Sequence, residues 1–180
     1  MRTRTVRFAL LIFLVSLPAL FLVTAQISVQ KYRGLRPGEF LPRETIRTLA
    51  GIPVATASWL GTPTLIVVFQ PGCEACRREI DILAAIAPSF PEVHIALLST
   101  AVDIGETTAP FPVYVDHQGG FLKQVRKLIT PAIYWTDASG RIRYARAGLL
   151  GEDEGRRLFH ELLAEANEAK APSDARRQTP

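Results

Sequence analysis

Cys73 and Cys76 are the only cysteines in the chain, and both fall in one stretch, Cys73-Glu74-Ala75-Cys76. Two cysteines scattered at random over the chain would stand three apart in roughly one case in a hundred. An apolar run, Leu65-Ile66-Val67-Val68-Phe69, precedes them through a Gln70-Pro71-Gly72 turn, and Arg77-Arg78-Glu79-Ile80-Asp81-Ile82-Leu83 follows with helical spacing. A dithiol on the first turn of a helix, just after a buried strand, is built to make and break a disulfide. Unpaired N–H groups at the helix start favour a thiolate at Cys73, and the thiolate is the nucleophile. Cys76, one turn later on the same face, is placed to resolve a mixed disulfide. The intervening Glu74 and Ala75 tune the pair. The Glu74 carboxylate disfavours a neighbouring thiolate, whereas Arg77 and Arg78 favour it.

Other uses of two thiols fit less well. A purely structural bridge across so short a loop removes little unfolded-state entropy. A zinc centre needs about four ligands, and His94, His117 and His160 lack finger-like spacing, so no metal is expected. Two inert thiols are the remaining plain alternative.

The elements that must hold this pair can be read along the chain. Arg2, Arg4 and Arg7 precede an apolar run over residues 8–23, followed by Val23-Thr24-Ala25 as a cleavage site. Sixteen helical residues cover ~24 Å against a hydrocarbon core of about 30 Å, and extension to residue 29 brings the run near spanning length. Residues 1–25 therefore read as a signal peptide or an uncleaved signal-anchor, with membrane association through residues 8–29. Either reading places the remainder outside the cytoplasm, in a periplasmic or similar compartment that manages disulfides. The formal net charge of +4 is dispersed, without interleaved aromatics, which argues against nucleic-acid binding. Residues 26–45, with four Gly and Pro breakers, read as a linker. Residues 46–167 are the size of one domain, and residues 168–180 read as a solvated, disordered tail.

Within the domain, strands are expected over residues 52–58, 64–69, 93–98 and 111–115, with helices over 73–87 and 120–128. An antiparallel hairpin follows over residues 132–145, turning at Asp137-Ala138-Ser139-Gly140. An amphipathic helix over 152–167 closes the domain, with Leu158, Phe159, Leu162 and Leu163 as its apolar stripe. This order implies an α/β class with a mixed central sheet covered by helices on both faces.

The chain resembles the thioredoxin fold over roughly residues 50–167. The likeness rests on the junction carrying Cys73-x-x-Cys76, the Thr130-Pro131 dipeptide before the hairpin, and the closing helix. With its export segment and central insertion it is more similar to the TlpA-like, membrane-anchored thiol–disulfide oxidoreductases than to cytosolic thioredoxin. That resemblance implies a cis Pro131 facing the dithiol, with Thr130 and Pro131 binding an extended substrate backbone. It also implies a protein substrate bearing a disulfide or dithiol, an upstream membrane dithiol donor, and no cofactor. The chain departs from thioredoxins in its Glu-Ala dipeptide and in Val67, which stands where thioredoxins carry a buried acid. Potentials within this fold span about −270 to about −120 mV, so the direction of electron flow does not transfer.

His94 is expected in a strand core, Asp116-His117 in a polar turn, and Tyr134 and Trp135 in core packing. The leading reading is an extracytoplasmic thiol–disulfide oxidoreductase that reduces substrate protein disulfides through the Cys73/Cys76 dithiol. The alternative is a non-enzymatic assembly or maturation factor, or a copper-delivery module. Met1 as the single methionine weakens the copper version.

Overall fold

A computed structural model of the chain describes residues 34–104, 109–125 and 129–175, from residue 165 onward by backbone alone. The expected signal or anchor over residues 1–25 lies outside these residues. Among the described residues no helix is long and apolar enough to cross a membrane.

The strands are β1 (Thr45–Thr48), β2 (Pro53–Ala55), β3 (Thr64–Phe69), β4 (His94–Ser99), β5 (Val113–Val115), β6 (Ala132–Thr136) and β7 (Ile142–Ala147). They form one mixed sheet in the order β2-β1-β5-β4-β3-β6-β7. β3 is central, parallel to β4 and antiparallel to β6. The helices are α1 (Glu74–Ile86), α2 (Gly120–Val125) and α3 (Glu152–Ala175), and a 3-10 turn covers Thr56–Trp59.

All six residues of β3 are buried, because both faces of the sheet are covered. Alternation along the strand divides them between two cores. Leu65, Val67 and Phe69 join Leu83 and Ile86 of α1 and Phe159 and Leu163 of α3 on one face. Trp135 meets Phe159 edge-on there, with centroids 5.0 Å apart. Ile66 and Val68 face the other way, onto Leu41, Ile46 and Trp59 and onto Phe121 and Val125 of α2. Each fully buried aliphatic or aromatic side chain contributes about 1.5–3 kcal/mol by leaving water. The position of α1, and so of the dithiol at its start, is therefore strongly held.

The structure differs from the sequence reading at three places. The expected linker is part of the domain from residue 34 onward: Leu41 and Pro42 are buried, Phe40 bridges Arg141, and Thr45 opens a strand. The expected first strand over 52–58 is only β2, after which the chain coils into the 3-10 turn. The closing helix continues to Ala175, through residues expected in the tail.

Candidate functional site

The Gln70-Pro71-Gly72 turn lets the chain leave β3 and enter α1 abruptly. Gly72 takes φ +76°, a left-handed conformation that a side chain disfavours, and the Cys73 N–H donates to Gln70 O at 3.2 Å. Cys73 is the N-cap of α1. Its Sγ accepts from the Cys76 N–H at 3.1 Å, and its carbonyl accepts the Arg77 N–H at 3.1 Å. The sulfur thus occupies the place where a capping oxygen usually sits, at the positive end of the helix. Cys73 and Cys76 are joined as a disulfide, with Cα atoms 5.2 Å apart. Cys76 is buried, whereas Cys73 is partly open to solvent, so the two sulfurs differ in access.

Thr130 and Pro131 face this pair. Their peptide bond is cis. Sγ of Cys73 lies 3.8 Å from Oγ1 of Thr130, whose hydroxyl donates to it, and 3.9 Å from the Thr130 carbonyl oxygen. Pro131 O accepts the Gly148 N–H at 2.8 Å, which ties the β7–α3 loop to the wall opposite the dithiol. The four residues Cys73, Cys76, Thr130 and Pro131 therefore come together, although up to 57 positions separate the contacting pair in sequence.

Glu74 lies on the solvent side of the first turn. Arg77 makes two hydrogen bonds to it, at 2.7 and 3.1 Å, and Arg78 stands 3.5 Å away. The Arg77 bond, with the charges of both arginines, holds the Glu74 carboxyl below its ordinary value. Ala75 is exposed beside it.

One residue at this helix was not anticipated. Glu79 stands one turn beyond Cys76, in the buried stripe Cys76, Glu79, Leu83, Ile86, and is 0% exposed. Residues three apart on a helix face are neighbours, with Cβ atoms about 5–6 Å apart. One carboxylate oxygen, Oε2, accepts the Leu150 N–H at 2.6 Å, while Oε1 has no hydrogen-bond partner among the described residues. Burial pushes the carboxyl up to about 7, against a lowering by the Leu150 N–H and by Arg146. Arg146 is itself paired with Glu154. The signal in the sequence was an acid at a core position of the 3-4-3 apolar spacing. Val67, where the resemblance leads one to expect a buried acid, is itself fully buried.

Around the pair, a groove of about 400 Å³ is lined by Phe69, Pro71, Cys73, Cys76, Ile104 and Pro110. Val102, Ile129 and Leu149 are exposed apolar residues at the same end of the sheet. Val102 follows β4 where β4 meets the end of β3, Ile129 precedes Thr130, and Leu149 follows the Gly148 bond to Pro131. All three thus follow or precede, in the chain, the segments that border the dithiol.

The remaining candidates sit elsewhere. His94 opens β4 opposite Thr64, the first residue of β3, and so lies at the far end of the strand from Cys73. It packs against Trp59 with tilted rings, centroids 5.6 Å apart, and burial lowers its pKa. Trp59 also packs on Tyr114, at 5.3 Å. Asp116 caps the turn into α2, its Oδ2 accepting the Leu122 N–H at 2.8 Å, and His117 is exposed beside it. Tyr134 and Trp135 are buried in opposite cores. Among the described residues no group of three or more His, Cys, Asp or Glu is placed to hold a metal ion.

A central mixed sheet, helices on both faces, and a dithiol at a strand-to-helix junction opposite a cis proline define the thioredoxin fold. Solved structures bear this out. The chain is similar to the thioredoxin domain of a thiol-disulfide oxidoreductase from Bacteroides vulgatus, at 21% identity and TM-score 0.60, covering 71% of this chain and 98% of that one. It is also similar to a secreted Mycobacterium tuberculosis disulfide oxidoreductase homologous to E. coli DsbE. There the identity is 23%, the TM-score 0.56, and the coverage 66% of this chain and 96% of that one. A thiol peroxidase from Chromobacterium violaceum matches at 15% identity and TM-score 0.59, covering 71% and 88%. No family model matches the chain, and no curated protein matches it in sequence.

Proposed function

We propose that this chain is an extracytoplasmic thiol–disulfide oxidoreductase that reduces disulfides in protein substrates through Cys73 and Cys76. The observation that carries the reading is the disulfide at the N-cap of α1, with its more open sulfur against Thr130 and the cis Pro131. The export-like residues 1–25, with membrane attachment through residues 8–29, support the compartment. The likeness to a secreted oxidoreductase points the same way.

In the reduced chain the Cys73 thiolate attacks one sulfur of the substrate disulfide and expels the other as a thiolate. A mixed disulfide results. Cys76 then loses its proton and attacks Cys73 Sγ, which releases the second substrate thiolate. Cys73–Cys76 is left oxidised, and two electrons have passed to the substrate. Glu79, buried one turn from Cys76, takes the Cys76 proton; a carboxyl pushed up to about 7 suits that transfer near neutral pH. A membrane dithiol donor resets the pair. Thr130 and Pro131 receive the substrate backbone as an added strand, and the Ile129–Leu149 surface takes its apolar side chains.

The test is reduction of insulin disulfides by the full chain in detergent, with dithiothreitol as donor. Cys73→Ser is expected to fall to the uncatalysed background, and Cys76→Ser to accumulate a mixed disulfide. Equal rates for wild type and Cys73→Ser would refute catalysis and leave a binding or assembly role. Equilibration of the pair with glutathione then sets the direction: a strongly reducing potential marks a reductase.

A further inference from the structure

The end of the sheet remote from the dithiol carries a second surface with a different character. Leu60 precedes β3 and Cys73 follows it, so six strand residues, ~20 Å, separate the two ends. Here a groove of about 430 Å³ lies between Phe40, Pro42, Arg43, Ala57, Leu60 and Ser139. Phe40 is 58% exposed and Leu60 40% exposed. The Arg141 guanidinium sits over the Phe40 ring, 4.6 Å from its centroid, and donates to Gly38 O at 2.7 Å. Arg36 and Arg43 are exposed nearby in the chain, and Lys31 and Arg33 precede them in sequence.

The acids of this surface are already engaged. Glu39 accepts the Arg36 N–H at 2.9 Å, and Glu44 accepts from Gln124 Nε2 at 2.9 Å. Asp137 is used by its own turn, accepting the Ser139 and Arg141 N–H groups at 2.9 and 3.1 Å. Residues 31–43 hold four basic residues and one acid. Exposed Phe and Leu set among arginines match a phospholipid interface: the apolar side chains enter the acyl boundary while the guanidinium groups meet phosphates.

Connectivity names the occupant. The apolar run ends at residue 23, and Phe40 follows 17 positions later. Residues 34–40 already belong to the domain, so ten positions, 24–33, separate it from the apolar run; they reach at most about 36 Å, and an attached domain stays within reach of a bilayer. We propose that the Phe40–Leu60 face, with Arg36, Arg43 and Arg141, lies on an anionic phospholipid surface. The dithiol is then held at the opposite end, facing away from the membrane. This rests on the attachment through residues 8–29 given above, and goes beyond it by assigning which face meets lipid. Each basic residue near such a surface strengthens the attraction roughly fivefold, and salt weakens it.

The test places a tryptophan at either end of the full chain, Phe40→Trp or Ile129→Trp, in phosphatidylcholine vesicles with or without about one-third phosphatidylglycerol. The quencher is lipid brominated near the headgroup, and the wild type, with its buried Trp59 and Trp135, is the baseline. Phe40→Trp is expected to be quenched at least about twofold more than Ile129→Trp, only when phosphatidylglycerol is present, and less so with Arg36→Glu and Arg43→Glu added. Flotation with the vesicles but equal quenching at the two ends overturns the proposed face and leaves the attachment standing. Quenching that ignores lipid charge also overturns it. Failure to float with vesicles overturns both.

Discussion

Of the three carboxylates on the helix that carries the dithiol, Glu74, Glu79 and Asp81, the first two stand in opposite circumstances. Glu74 lies on the solvent side of α1, clasped by Arg77 and held below its ordinary value. Glu79 lies on the core side, shielded from solvent, and is pushed up to about 7. Glu74 is next to Cys73 in sequence, whereas Glu79 is separated from Cys76 by a full turn. The buried group is nevertheless the one with chemical leverage. Water and two guanidinium groups absorb the charge of Glu74. Nothing comparable among the described residues absorbs that of Glu79, whose Oε1 has no hydrogen-bond partner there. On the proposed mechanism, burial on the same helix face counts for more at the dithiol than proximity in sequence.

The largest expected effect breaks the comparison on the core side. Unfolded, Glu79 titrates near its ordinary 4.5; folded, near 7. Between those values the folded chain holds a proton that the unfolded chain releases. The stability contributed by the protonated carboxyl is therefore complete below about 4.5 and is lost as pH rises through about 7. The slope approaches ~1.4 kcal/mol per pH unit. Glu79→Gln removes that slope. Denaturant titrations of the oxidised chain, where the thiols do not titrate, should show the variant gaining on wild type between pH 5 and pH 8. The gain should be on the order of 3 kcal/mol. In turnover the same variant should slow insulin reduction by roughly one to two orders of magnitude, because the Cys76 proton loses its acceptor. Parallel stability curves for variant and wild type would show that Glu79 titrates like a surface carboxyl.

The parts of the site that could be read from sequence were those whose signal is local. Cys73 and Cys76 announce themselves by spacing, and the buried strand before them by six apolar or small residues in a row. Thr130-Pro131 was recognisable through resemblance, though a partner 57 positions from Cys73 has no local mark. Glu79 was hidden because an acid in an amphipathic helix ordinarily belongs to the wet face. Its burial depends on Leu150, 71 positions away, whose N–H it accepts. β1 escaped for a related reason. Thr45-Ile46-Arg47-Thr48 has a single fully buried residue, Ile46, and becomes a strand through pairing with β2 and β5. Leu41 and Pro42 likewise read as linker until the second core is seen to need a cover.

Two smaller effects sharpen the contrast at Cys73. Thr130→Val deletes the hydroxyl that donates to Sγ and keeps the backbone carbonyl. A thiolate stabilised by that donor should become less favoured. The pH midpoint of Cys73 alkylation in the reduced chain should rise by about half a unit to one unit, with a matching slowing near neutral pH.

Glu74→Gln should do least. Removing the carboxylate leaves Arg77 and Arg78 unopposed beside the helix N-terminus, so the Cys73 midpoint should fall rather than rise. The group is fully exposed and its charge already screened, so the change should be a few tenths of a unit and under about twofold in rate. Added salt should erase it, because a pair in solvent is screened within about 10 Å at moderate ionic strength. A Glu74→Gln effect larger than that of Glu79→Gln, or one that survives high salt, would reverse the ranking of the two carboxylates. The dipeptide between the cysteines would then outrank the buried acid behind them in setting the reactivity of the pair.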